Sequence, residues 1–128
     1  MRQIRLLHDP PAAGAWNMAV DEALLETAAD SGVATLRFYQ WNEPTLSLGY
    51  FQAATDRDQH PASRDCPLVR RASGGGAILH DRELTYSMAM SLPSARSSEA
   101  TRLDRGWRHC SDRRSALIAV SDEGNHQV

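Results

Sequence analysis

Apolar and polar positions in the first thirty residues follow a helical period. Trp16, Ala19, Val20, Ala23, Leu24, Thr27 and Ala28 recur at i, i+3, i+4, i+7, i+8, i+11 and i+12, which predicts a helix with one mostly apolar stripe as its packing surface. Asn17 and Asp21 fall together on another face, spaced to bond each other or a neighbouring loop. Ser31-Gly32 ends the helix, with glycine where a left-handed residue is expected. The period then changes to two. Leu36 and Phe38 alternate with Arg37, Tyr39 and Trp41; Asn42-Glu43-Pro44 marks a turn; Leu46, Leu48 and Tyr50 then alternate with Thr45, Ser47 and Gly49. Leu84, Tyr86, Met88, Met90 and Leu92 alternate with Glu83, Thr85, Ser87, Ala89 and Ser91, predicting a long, half-buried strand of antiparallel type whose methionines fill the core. Pro67–Val69 and Ala77–Leu79 read as two short buried strands.

After Pro93 the periodicity lapses. Residues 94–128 form a polar, Arg/Ser-rich tail expected to be exposed, poorly ordered or divergent, with Ala116 to Val120 as a short apolar piece fit for an edge strand. The tail arginines Arg102, Arg105, Arg108, Arg113 and Arg114 alternate with acidic residues, so a solvated face is the expectation rather than a phosphate-binding one. With 128 residues and 41% hydrophobic content, the chain is the size of one small domain. A formal charge of -2 gives no case for nucleic-acid binding, and no apolar run approaches the ~20 residues that span a bilayer. The N-terminus lacks a secretory pattern, so a cytoplasmic location is expected. Two cysteines, Cys66 and Cys110, suggest no disulfide framework, and the histidines show no metal-ligand spacing.

The most chemically loaded segment is Val69–Asp81, V-R-R-A-S-G-G-G-A-I-L-H-D. Three glycines let backbone N–H groups approach an oxyanion closely, and Arg70 and Arg71 add forked donors suited to carboxylate or phosphate. A bare glycine triplet would as readily be a flexible hairpin; its position between two buried strands favours a site. There is no lysine in the chain, so no G-x-x-x-x-G-K-[ST] loop is present, nor is there a G-x-G-x-x-G.

The loop is one of four ordered motifs. N-M-A-V-D-E-A-L-L (Asn17–Leu25), L-R-F-Y-Q-W (Leu36–Trp41), T-L-S-L-G-Y-F-Q (Thr45–Gln52) and the loop with its continuation E-L-T-Y-S (Glu83–Ser87) together resemble the biotin/lipoate A/B protein ligase family, over roughly residues 4–93. That family includes lipoate-protein ligases and octanoyltransferases. The resemblance implies an α+β fold, a mixed and largely antiparallel sheet packed on helices, with residues 1–93 as the N-terminal part of the catalytic domain. It implies acyl transfer in protein lipoylation, attaching lipoyl or octanoyl to a lysine of lipoyl-domain acceptors such as the glycine cleavage H protein or 2-oxoacid dehydrogenase E2 subunits. In the ligase version ATP and Mg2+ activate lipoate through lipoyl-AMP; in the transferase version octanoyl arrives as a thioester on acyl carrier protein and passes through an enzyme nucleophile.

Carried over by motif, the acyl or acyl-adenylate site consists of Trp41, Arg71, Ser73, Gly74, Gly75, Gly76 and His80. Trp41 is an aromatic wall for the ligand or a core residue. His80 either positions ligand and structure or acts as a base oriented by Asp81, the former being favoured. The family's downstream lysine has no counterpart here, and Cys110 matches no transferase cysteine context. The chain is therefore expected to be an N-terminal portion with sheet edges exposed, prone to association. Two readings follow: an acyl-transfer enzyme of lipoylation, or a non-catalytic domain that retains an acyl or nucleotide pocket.

Overall fold

The computed structural model describes residues 3–91 and the backbone of residues 115–121. Strand β1 (Ile4–His8) leads into helix α1 (Gly14–Ser31), then β2 (Ala34–Tyr39), β3 (Thr45–Leu48), two short 3-10 turns (Ala54–Gln59 and Pro61–Ser63), β4 (Leu68–Arg70), β5 (Ile78–His80), β6 (Thr85–Ser91) and β7 (Ser115–Ser121). Two sheets form, one in the order β1-β2-β6-β7 and a smaller one in the order β4-β3-β5. The pairs β1/β2 and β3/β4 are parallel; β2/β6, β6/β7 and β3/β5 are antiparallel. This is the mixed, largely antiparallel sheet with a helix layer that the motifs imply. The apolar piece within the tail is β7, which closes one edge of the large sheet along the whole of β6. The rest of the segment after Pro93, including Cys110 and the tail arginines, lies outside the described residues, as does Leu92.

Helix α1 has no side-chain N-cap; it begins at Gly14 because the chain there is pressed against the small sheet. A Cβ at Gly14 would lie 2.6 Å from Thr45 Cγ2 and 3.1 Å from Trp41, so only glycine fits. Gly32 ends the helix in the left-handed conformation (φ 71°), its N–H donating to the Ala28 carbonyl at 3.0 Å. That stop is where the sequence places it.

The buried stripe of the helix is not the expected one. Gly14, Asn17, Asp21, Leu24, Leu25 and Ala28 face inward, while Trp16 is 64% exposed and Ala19, Ala23 and Thr27 are also exposed. Apolar character and burial part company because β2 offers the helix a guanidinium. Arg37, fully buried, donates from Nε to Asp9 Oδ2 (2.6 Å), from Nη1 to Asp21 Oδ1 (2.9 Å) and from Nη2 to Asn17 Oδ1 (3.0 Å). Tyr39 and Ser87 hydroxyls donate to Asp21 at 3.0 and 2.6 Å, and Asn17 Nδ2 donates to the carbonyls of Ala12 and Gln40. Every buried side-chain N or O among the described residues has a partner. Such a network is costly to break, since removing one partner of a buried pair typically costs about 3–5 kcal/mol. Burial raises the pKa of the Asp21 carboxyl despite hydrogen bonds from Ser87 and Arg37, and burial likewise raises that of the Tyr39 phenol.

The same inversion appears on β6. Its alternation is as expected, yet Thr85, Ser87 and Ala89 are the buried positions and Tyr86, Met88 and Met90 are half-buried. The methionines thus lie on the outer sheet face, Met88 in register with Leu36 of β2, which in turn pairs with the exposed Leu6 (66%) of β1. The apolar core proper is small: Leu24, Leu25, Ala28 and Ala89, with Leu7, Val20 and Ala72 packed beside them.

Candidate acyl-binding site

The expected short strands on either side of the glycine triplet are β4 and β5, each displaced by one residue. They pair not with each other but with opposite edges of β3, parallel on one side and antiparallel on the other. Residues 71–77 therefore cross over the C-terminal end of β3. A hairpin is excluded by this topology.

The crossing is fastened at backbone level: Arg71 N–H donates to the Leu48 carbonyl and Tyr50 N–H to the Ser73 carbonyl, both at 2.9 Å. It depends on Gly49, whose place in the motif carried no special weight in the sequence. A Cβ there would lie 2.0 Å from the Gly75 carbonyl oxygen. Gly75 itself has φ 99°, a conformation that disfavours side chains, whereas a Cβ at Gly74 or Gly76 would meet nothing within 4 Å. The space above the loop is open. Among the described residues, the N–H groups of Gly74, Gly75 and Gly76 donate to no protein acceptor.

Both arginines are used within the fold. Arg70 Nη1 donates to the carbonyls of Gly49, Tyr50 and Gln52 (3.1, 3.1 and 2.6 Å), clamping the turn after β3. Arg71, only 6% exposed, donates from Nη1 to the Ser47 carbonyl (3.1 Å) and hydroxyl (2.6 Å), and from Nη2 to the Gly74 (3.1 Å) and Gly76 (2.7 Å) carbonyls. Across a trans peptide the next N–H points opposite to the carbonyl, so with the Gly74 and Gly76 carbonyls drawn onto the buried cation the amides of Gly75 and Ala77 face away from it. Burial lowers the pKa of the Arg71 guanidinium, with Tyr39 acting in the opposite sense. Ser73 is half-buried on the loop, its carbonyl taken by Tyr50.

His80, at the end of β5, is 2% exposed and has both ring nitrogens engaged, Nε2 with Ser47 Oγ (2.7 Å) and Nδ1 with Glu83 Oε1 (2.5 Å). Trp41 stacks on the ring at 3.9 Å and 9°, and donates from Nε1 to Thr85 Oγ1 at 2.8 Å. Trp41, 5% exposed, packs behind His80, and the carboxylate bonded to His80 is that of Glu83 rather than of the exposed Asp81. Asp81 N–H instead donates to Glu83 Oε2 at 2.8 Å. Burial pushes the Glu83 carboxyl upward, but hydrogen bonds from His80 and from the Asp81 and Glu83 amides outweigh it and leave the pKa below the usual 4.5. Sequence reasoning missed Ser47 and Glu83; their alternation within β3 and at the head of β6 was visible, but the loop crossing that unites them is not local.

The geometry so assembled, a row of open glycine amides over a buried arginine, has a family context. Residues 13–105 match the model of the lipoyl protein ligase A/B catalytic domain. The chain belongs to that family. It is 50% identical over 88 residues to the octanoyltransferase LipM of Oceanobacillus iheyensis, an alignment that takes in 66% of this chain and 32% of that enzyme. The chain spans about a third of the length of the curated relatives it matches. Its fold is shared with the bipartite lipoate protein ligase of Thermoplasma acidophilum (TM-score 0.68, 20% identity, 94% of this chain and 61% of that one). It is likewise similar to a lipoate-protein ligase A bound with ATP (TM-score 0.63, 20% identity, 94% and 65%). Among the described residues no helix is long and apolar enough to cross a membrane, and no three His, Cys, Asp or Glu side chains cluster as a metal site.

Gly49→Ala should displace the loop, because the Gly75 carbonyl is backbone and has no rotamer to yield. The backbone amide resonances of Gly74–Gly76 in the NMR spectrum are expected to shift or broaden while those of α1 stay in place; unchanged loop resonances would refute the close approach. Glu83 also sets an acid limit. Its folded pKa lies below its unfolded value, so its contribution is complete above about 4.5 and is lost as pH falls through the lowered value. Replacing it in Glu83→Gln should flatten the acid limb of stability against pH, as read by urea unfolding.

Proposed function

We propose that this chain carries the acyl site of an octanoyltransferase-type enzyme of protein lipoylation, which moves octanoyl from a carrier-protein thioester to a lysine of a lipoyl-domain acceptor. The observation that carries the reading is the glycine loop whose Gly74–Gly76 amides have no protein acceptor among the described residues and whose carbonyls are held by the buried Arg71. In each half of such a transfer a nucleophile attacks the acyl carbonyl carbon, its oxygen takes up the electron pair, and the thiolate leaves as the carbonyl re-forms. The loop amides are donors for that oxygen, and the buried guanidinium beneath adds positive charge. Beside the loop Tyr50 and Phe51 form an exposed edge-to-face pair (5.0 Å, 82°), apolar surface that an acyl chain would cover.

The transferase branch is favoured over the ligase branch because the 50% identical relative is an octanoyltransferase, whereas the 20% identity to ligase structures speaks only for the fold. The alternative is the ligase reading, in which lipoate would be activated as the adenylate; the neighbour bound with ATP shares only its fold with this chain. Lipoyl-domain acceptors, among them H protein and E2 subunits, suit both branches, and acyl carrier protein suits the first. This reading keeps the cytoplasmic location expected from the N-terminal sequence.

Calorimetry on the intact chain separates the readings. Octanoyl-pantetheine should bind without ATP, and Arg71→Ala should weaken it about tenfold, the scale of one lost hydrogen bond to the ground-state ligand. Gly75→Val should do the same. Binding confined to a lipoyl-adenylate analogue would establish the ligase reading instead, and binding of neither to a folded chain would reject both.

A further inference from the structure

Resting on the acyl-site reading, we infer that Ser47, His80 and Glu83 form a positioning relay that sets the glycine loop through Arg71, and that its control point is the tautomer of His80. The hydrogen-bond polarity runs one way. Glu83 Oε1 is an acceptor, so it places a ring proton on Nδ1 (2.5 Å). In the tautomer we assign, Nε2 is then a bare lone pair, and the group bonded to it among the described residues is the Ser47 hydroxyl at 2.7 Å, which donates. With its proton committed, the Ser47 oxygen offers its lone pairs to Arg71 Nη1 at 2.6 Å. Nη2 of the same planar guanidinium then reaches the Gly74 and Gly76 carbonyls. Each link is fixed by the one before it.

The opposite tautomer strands one proton. A proton on Nε2 would make Ser47 accept from both His80 and Arg71 with its two lone pairs, and leave its own buried hydroxyl proton with no acceptor among the described residues. The surroundings forbid other compromises: Ser47 is fully buried, Trp41 holds the ring plane at 9°, and no carboxylate touches Ser47 or Arg71. Glu83 is itself fixed by the Asp81 amide on its second oxygen. His80 on this account does not exchange protons with substrate. It is a positioning residue, and so are Ser47 and Glu83.

Solution NMR on the ¹⁵N-histidine-labelled chain tests this without any ligand. The expected spectrum shows His80 as the neutral Nδ1–H tautomer. In Glu83→Ala the Nε2–H form should appear, with the Gly74–Gly76 amide resonances moving in step. Ser47→Ala deletes one buried hydroxyl with little change in volume; the loop resonances should shift, and octanoyl-pantetheine should bind about tenfold more weakly, the size of one hydrogen bond. A charged ring or an Nε2–H tautomer in the unmodified chain overturns the relay, as do unmoved loop resonances in a folded Ser47→Ala. Should a variant fail to fold, the tautomer in the unmodified chain decides alone. Failure of octanoyl-pantetheine to bind would count against the acyl-site reading, while tautomer and amide shifts still judge the relay.

Discussion

The site depends on one buried cation. Arg71 leaves the end of β4 and returns beneath its own loop, joining the Ser47 backbone and hydroxyl of β3 to the carbonyls of Gly74 and Gly76. A guanidinium suits this place because its donors diverge in a plane and can satisfy four acceptors, two on β3 and two on the loop, at once. An ammonium on a flexible stem would hold them less rigidly. Because the Gly74 and Gly76 carbonyls turn inward to meet the charge, the peptide N–H groups that follow them, those of Gly75 and Ala77, turn away from it.

That arrangement is continuous with the polar interior of the larger sheet. Tyr39 and Trp41 pack against each other at 5.9 Å, with Tyr39 bonded to Asp21 and lying under Arg37 (4.1 Å) while Trp41 stacks on His80. Buried polar side chains outnumber buried apolar ones among the described residues, and all are satisfied. In a small domain whose apolar core is a few residues, hydrogen-bonded charge supplies orientation where packing alone would leave the layers free to slide. The helix meets the sheet at one register because only there do Asn17 and Asp21 reach Arg37.

Much of this was legible in the chain and some was not. Strand alternation, the glycine stop at Gly32, the edge strand around Ala116–Val120 and the two strands beside the triplet all follow from local pattern, since period and turn chemistry are local properties. The buried face of α1 did not follow, because Trp16 and Ala23 are apolar and Asn17 and Asp21 are not; only Arg37, sixteen residues beyond Asp21, reverses the preference. For β6 the reason is similar: Ser87 and Thr85 face inward to bond Asp21 and Trp41, which leaves the methionines on the outer face. Among the site residues, the loop glycines and Arg71 announce themselves by motif, whereas Ser47, Gly49 and Glu83 gain their roles only once β4 and β5 are seen to flank β3.

The central claim is that the loop amides receive the acyl carbonyl oxygen. It is tested most directly by a crystal structure of the chain with octanoyl-pantetheine. The account predicts that oxygen within hydrogen-bonding distance of at least one N–H of Gly74–Gly76, with Arg71 still bonded to Ser47 and the loop carbonyls. An acyl carbonyl bound elsewhere, or an Arg71 that abandons the loop to meet the ligand itself, would contradict it.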